Sequence, residues 1–189
     1  MTVDDSRFVE VYERFHRHVY GYCRRRTGAD RVEDAVADVF LTVWRRIDQV
    51  PEGDECLPWL YGVAFRVLSH QWRGASRRQR LREKLVAVGV ESISGPEEHI
   101  VINEEARMVH EALARLKPTD QEILRLNAWE DLAATDISLA LGISAGAVRQ
   151  RLYEARKNLT REFNKLEKKA GTASAARKGG TRWHQKNVL

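Results

Sequence analysis

Apolar residues recur along most of this chain at spacings of three and four, the period of a helix that buries one face. Phe8, Val11, Tyr12, Phe15 and Val19 form one such stripe, and Tyr22 extends it. Thr27-Gly28-Ala29-Asp30 interrupts the pattern, and Val32, Val36, Val39, Phe40, Val43 and Ile47 begin a second. Pro51-Glu-Gly-Asp-Glu55 reads as a turn-rich loop. A third helix begins near Pro58, since proline is tolerated in a first helical turn. It carries Trp59, Leu60, Val63, Val67 and Leu68 into a run of arginines. From about Ala87 to Glu98 the period fails, and Gly89, Ser92, Ser94, Gly95 and Pro96 mark a linker. Ile100, Val101, Met108, Val109, Ala112, Leu113 and Leu116 restore the helical stripe. Lys117-Pro118 breaks it, and Thr119 with Glu122 matches a capping box opening the next helix, whose core residues are Ile123, Leu124 and Leu126. No alternating strand pattern competes. The pattern predicts an all-α fold of two small helical domains, residues 1–86 and 100–169, joined by a flexible linker at 87–99. Residues 170–189 form a basic tail whose Gly, Ser, Ala and Lys/Arg content predicts disorder.

The second domain contains the most informative segment. Ile137, Leu139, Ala140 and Leu141 give a short helix its apolar surface, Gly142 stands where a left-handed residue ends a helix, and Ser144 is placed to cap the next one. Val148, Leu152, Ala155 and Leu159 then share one face of that following helix, which leaves Gly146, Arg149, Gln150, Tyr153 and Lys157 on or near the opposite side. This is a helix-turn-helix layout, whose second helix enters the DNA major groove. Arg and Gln can bond base edges, and Lys suits phosphates. Arg151 and Arg156 lie on the flanks, aimed at the DNA backbone or at neighbouring helices. An ordinary helical hairpin with a solvated basic face has the same spacing.

Composition narrows the class. The chain has 189 residues, of which 43% are hydrophobic and 31% charged, and no apolar run reaches the roughly 20 residues that span a bilayer. The acidic start Met1-Thr-Val-Asp-Asp5 lacks a secretory profile, so a cytoplasmic location without membrane insertion is expected. Two cysteines, Cys23 and Cys56, are too few for a disulfide framework and are expected to be buried or half-buried rather than reactive. The net charge of +5 favours a polyanionic partner only mildly. Basic residues concentrate at Arg24-Arg25-Arg26, from Arg73 to Lys84, and from Lys165 onward; the first and last of these read equally well as solvated charge. The middle cluster adjoins Trp59, Tyr61, Phe65 and Trp72, with Arg66, His70, Arg73, Arg77 and Arg78 among and after them. Aromatic faces stack on unpaired bases while cations hold the backbone, the chemistry of single-strand binding. Trp59 shares a face with Val63 and is expected in the core; Trp72 fits either role.

With these blocks in this order, the chain resembles bacterial sigma factors of the extracytoplasmic-function group, promoter-recognition subunits of RNA polymerase that carry only the second and fourth regions of their family. Glu33-Asp-Ala-Val-Ala-Asp-Val-Phe-Leu-Thr-Val-Trp44 looks like the helix that docks on the polymerase clamp, and Trp59-Leu-Tyr-Gly-Val-Ala64 like the start of the promoter-melting segment. Leu113-Ala-Arg-Leu-Lys-Pro-Thr-Asp-Gln-Glu-Ile-Leu-Arg-Leu126, then Leu141-Gly-Ile-Ser and Val148-Arg-Gln-Arg-Leu-Tyr-Glu-Ala-Arg156, look like the fourth region. The resemblance implies that Asp34, Asp38, Thr42 and Arg45 face the clamp helices of the largest polymerase subunit. It implies that Tyr61, Arg66, His70, Trp72, Arg73 and Arg77 hold the melted −10 strand. It implies that Ser144, Gly146, Arg149, Gln150, Arg151, Tyr153, Arg156 and Lys157 meet the −35 duplex, beside a contact with the flap of the β subunit. It further implies a free monomer, restraint by an anti-sigma factor, and no cofactor or metal. Asp34 and Asp38 are one helical turn apart, a face that suits a basic helix but also occurs as a solvated acidic stripe.

The chain departs from the family pattern at Ala37, where a glutamine is usual, at Ala64-Phe65-Arg66, where Ala-Arg-Asn is frequent, at Ala147, where threonine usually precedes the valine, and at Glu154, where arginine is frequent. Its −10 and −35 preferences are therefore expected to differ from those of common relatives. Two other classes fit less well. Catalysis lacks a constellation: there is no metal-binding spacing, no phosphate-cradling glycine loop and no nucleophile elbow, and His16 and His18, two apart, do not share a helix face. A one-component regulator would bind a palindrome as a dimer without polymerase.

Overall fold

The computed structural model describes the backbone of residues 3–86 and 104–180, and the side chains of 5–74 and 105–170. Among the described residues there is no strand. The expected linker at 87–99, Arg77, Arg78 and Trp183 lie outside the described side chains. The helices are α1 (Val3–Arg24), α2 (Val32–Trp44), α3 (Cys56–Val86), α4 (Glu104–Ala114), α5 (Pro118–Trp129), α6 (Ala134–Leu141) and α7 (Ala145–Gly180). Three short 3-10 turns, Ala29–Arg31, Ile47–Gln49 and Gly53–Glu55, punctuate the chain between α1, α2 and α3. The chain forms two compact units, Met1–Pro96 with Glu130–Ala145, and Glu97–Trp129 with Gly146–Leu189.

In the first unit, α1, α2 and α3 pack mutually, and their stripes meet as the periodicity requires. Val11, Phe15, Val19, Tyr22, Val36, Val39, Phe40, Val43, Leu60, Val63 and Leu68 are buried. Phe8 and Tyr12 leave the centre of this core and instead meet α2, where Phe8 packs edge-on against Phe40 and Trp44, and Tyr12 lies 4.7 Å from the Phe40 ring. Pro58 falls in the first turn of α3, so its missing N–H leaves no ladder bond unmade.

A fourth helix, α6, joins this unit. Ile137 and Ala140 are its buried residues, and it lies against α3 so closely that a Cβ on Gly62 would stand 2.2 Å from the Ala140 carbonyl oxygen. Only glycine permits that approach. By its contacts the segment 130–145 groups with the first unit. The local grammar of α6 is as expected at its end. Gly142 takes φ +68°, and its N–H and that of Ile143 both donate to the Ser138 carbonyl, at 2.9 and 3.2 Å.

The second unit holds α4, α5 and α7, whose buried residues include Leu113, Leu116, Ile123, Leu126, Val148, Leu152, Ala155 and Leu166. Polar ties run between them: the Arg156 guanidinium donates to Asn127 at 2.8 Å, Arg151 lies 3.9 Å from Asp120, and Arg115 lies 3.7 Å from Glu162. The capping box expected at Thr119 is displaced. The Lys117 carbonyl accepts the Gln121 N–H at 3.0 Å, so α5 starts two residues earlier than a Thr119 N-cap would place it, with Pro118 in its first turn and Glu122 buried. The Gln121 side chain caps the preceding helix by donating to the Leu116 carbonyl at 2.9 Å. α7 runs past Ala170, where composition predicts an irregular tail, to Gly180.

Candidate nucleic-acid interface

The helix pair expected to read duplex DNA is present in the chain as α6, a three-residue turn and α7. Val148, Leu152 and Ala155 are buried, and rotation about the axis leaves Arg149, Gln150, Tyr153 and Lys157 exposed, with Tyr153 at 63%. Ser144 and Gly146, at the start of α7, are exposed too. Arg151 and Arg156 are exposed but engaged by Asp120 and Asn127, which fits the flanking role. Gln150 donates to Glu154 at 3.4 Å, so the departure at 154 already touches a base-reading candidate.

A second surface follows the groove between α2 and α3. One part, of about 310 Å3, is lined by Asp38, Leu41, Thr42, Arg45, Arg66, Val67, His70 and Gln71, and a neighbouring hollow adds Arg31, Asp34, Ala37 and Gly74. The residues assigned to the clamp and two of those assigned to the melted strand, Arg66 and His70, thus line adjoining parts of one groove, a juxtaposition that the sequence separates by more than twenty positions. Gln71 donates to Asp38 at 3.0 Å across it, and Thr42 returns its hydroxyl to the Asp38 carbonyl at 2.8 Å. Desolvation, and secondarily the Arg46 guanidinium, pull the Arg66 pKa down from its ordinary value. His70 and Arg73 are exposed, while Trp59 and Trp72 are half-buried.

Tyr61, also assigned to the melted strand, is enclosed in this structure. It is only 3% exposed, its ring stacks on Tyr22 with centroids 5.1 Å apart, and its hydroxyl donates to the Glu130 carboxylate. In this conformation it has no face to offer a base. Burial, then the Glu130 charge, push its pKa up to about 12. Arg25 and Arg26 are the residues that sequence reasoning missed. Rather than solvated charge, both pair with Glu130, Arg26 at 2.9 Å with its side chain 0% exposed. No local pattern could have found a partner so far along the chain.

Comparison with known proteins decides the family. Sigma-70 region 2 matches residues 11–78, and sigma-70 region 4 matches residues 106–159, in that order. The chain belongs to the sigma-70 family. Within it the chain sides with the extracytoplasmic-function group: a factor of that group from Mycobacterium tuberculosis, SigD, is 28% identical over 168 residues, covering 85% of this chain and 78% of its own. A probable RNA polymerase sigma factor from Xanthomonas campestris, RfaY, is 30% identical over 135 residues, which is 69% of this chain. The match spans only 34% of the length of that relative. Among solved structures, the sigma factor RpoE of Bartonella quintana, determined with the anti-sigma factor NepR, has the same fold, with TM-score 0.56 at 18% identity over 83% of this chain and 96% of that one. In this sigma factor the α2–α3 groove lies in region 2, and the α6–turn–α7 segment lies in region 4.

Proposed function

We propose that this chain is an alternative sigma factor that binds core RNA polymerase and directs transcription initiation at promoters with −10 and −35 elements. The observation that carries the reading is the pairing of two nucleic-acid surfaces in family order. One is the α2–α3 groove, where Arg45, Arg66 and His70 stand beside Asp38, and the other is a helix-turn-helix with Arg149, Gln150 and Tyr153 outward. Residues 1–86 take the clamp and the −10 element, and 100–169 take the −35 duplex and the β flap. Asp34, Asp38, Thr42 and Arg45 form the clamp-facing surface. Arg66, His70, Trp72, Arg73 and Arg77 hold the melted strand. The protein acts by binding, in the cytoplasm, without a cofactor. Solved relatives bound to anti-sigma factors support restraint by such a partner here.

In vitro transcription with core polymerase on a genomic promoter library tests the reading and reports the promoter together. Arg149→Ala, Gln150→Ala and Tyr153→Ala are expected to abolish dependence on the −35 sequence while core-polymerase binding persists, each base-reading contact being worth about 1–3 kcal/mol. Promoter affinity is expected to fall steeply with salt, as released counterions require. Tight binding of a palindrome by the chain alone, as a dimer, would overturn the proposal.

A further inference from the structure

Glu154 is an anion set among cations on the outward side of α7. It is exposed, as are Arg149, Arg151, Arg156 and Lys157 around it. A carboxylate placed there only to balance charge would pair with one of these neighbours, yet among the described residues Glu154 forms no ion pair. Arg151 turns instead to Asp120 at 3.9 Å, and Arg156 donates to Asn127 at 2.8 Å. The contact that Glu154 does make is with Gln150, one helical turn before it, whose Nε2 donates to the Glu154 Oε1 at 3.4 Å. Both side chains flank Tyr153, 63% exposed, on the face turned away from Val148, Leu152 and Ala155.

A primary amide carries two N–H donors and one carbonyl acceptor, whereas an ionised carboxylate only accepts. Only the nitrogen end of Gln150 can therefore face Glu154, and the contact consumes one of its two donors. One donor and one acceptor remain for a base. The major-groove edge of adenine offers N7 as acceptor and the N6 amino group as donor, which matches; guanine offers two acceptors, N7 and O6, which do not. An unrestrained glutamine is free to turn both N–H groups toward guanine. The carboxylate, with no cation paired to it, also repels guanine O6 and the phosphates that border the groove. We propose that Glu154 determines specificity in the −35 reader: by holding the Gln150 amide it makes that residue select adenine over guanine, and by its own charge it lowers affinity for DNA of any sequence. The inference rests on the proposed function for placing α7 at the −35 duplex.

Selection by the full chain with core polymerase, from promoters randomised through the −35 element, reads base preference position by position. Wild type is expected to favour adenine over guanine at one position, and Gln150→Ala to lose that preference. Glu154→Gln is expected to cut the adenine-to-guanine ratio there at least about fivefold, with other −35 positions unchanged. The same variant is expected to bind scrambled duplex more tightly, with a steeper salt dependence. Glu154→Asp keeps the charge but its shorter side chain falls away from Gln150, so it is expected to lose the preference without gaining affinity for scrambled duplex. An unchanged ratio in Glu154→Gln would overturn the proposal, and so would an equal loss at every position. Unchanged affinity for scrambled duplex would overturn the charge effect. Should wild type with core polymerase select no promoter, the sigma-factor reading fails, and the same duplexes bound by the chain without polymerase test the pair. Adenine selection there that depends on both Gln150 and Glu154 would leave the inference standing; its absence would overturn that as well.

Discussion

Cys23 and Tyr61 show how much a single residue's chemistry depends on what the chain brings around it. Cys23 is fully buried in α1, and burial pushes its thiol up from 9.0 to about 11, against a smaller opposing pull from Arg26. Below pH 9.0 the thiol is protonated in both the folded and unfolded states. Between 9.0 and about 11 the unfolded chain releases its proton first, so the folded state binds more protons and stability falls as pH rises. The loss over that window is about 2–3 kcal/mol. Denaturant unfolding between pH 8 and 11 is expected to show the decline, and Cys23→Ala to make it shallower, with the raised Tyr61 pKa accounting for part of the remainder above pH 10; an equal slope in the variant would assign the decline elsewhere. The low number of cysteines already pointed to small buried or half-buried residues, and both are buried. The burial of Tyr61 was not legible, because its cover comes from Glu130, and nothing in the sequence near either residue signals the other.

At the scale of elements, local rules succeeded wherever the determinant was local. Gly142 follows the last apolar residue of α6, and its φ of +68° is the conformation that the position requires. Gly142→Ala is expected to destabilise the protein by about 1–2 kcal/mol in thermal or denaturant unfolding, whereas Gly142→Asn recovers most of the loss, because asparagine tolerates the left-handed region. Equal losses for both would point to packing rather than backbone conformation. Nothing stands within 4 Å of a Cβ built there, so conformation is the effect expected to win. The capping box at Thr119 failed for a reason of the same scale. Pro118 has a fixed φ suited to a first turn, so the helix begins with it and leaves Glu122 to the interior. Of the α7 stripe, Val148, Leu152 and Ala155 are buried and Leu159 is half-buried, and a helix's period leaves Arg149, Gln150 and Tyr153 outside.

For the whole molecule, function depends on surfaces that several helices share. Asp34 and Asp38 project from α2 into the groove walled by α3, beside Arg66 and His70. Asp34→Lys is expected to weaken core-polymerase binding at least about tenfold in a competition assay while stability changes by no more than about 0.5 kcal/mol, as is usual for an exposed site. A variant that binds core polymerase normally would leave the acidic face as solvated charge.

Periodicity, breakers and motif order by themselves determined the all-α class, the helix-turn-helix and the family, because each is written in residues a few positions apart. Tertiary structure alone decided that the acidic and basic candidates share one groove, that Arg25 and Arg26 enclose a carboxylate, and that Gly62 admits α6. Those are contacts between segments tens of residues apart, and the free energy that selects them comes from burying surfaces on both sides at once. A one-dimensional pattern records that a face will be covered; it does not record by what.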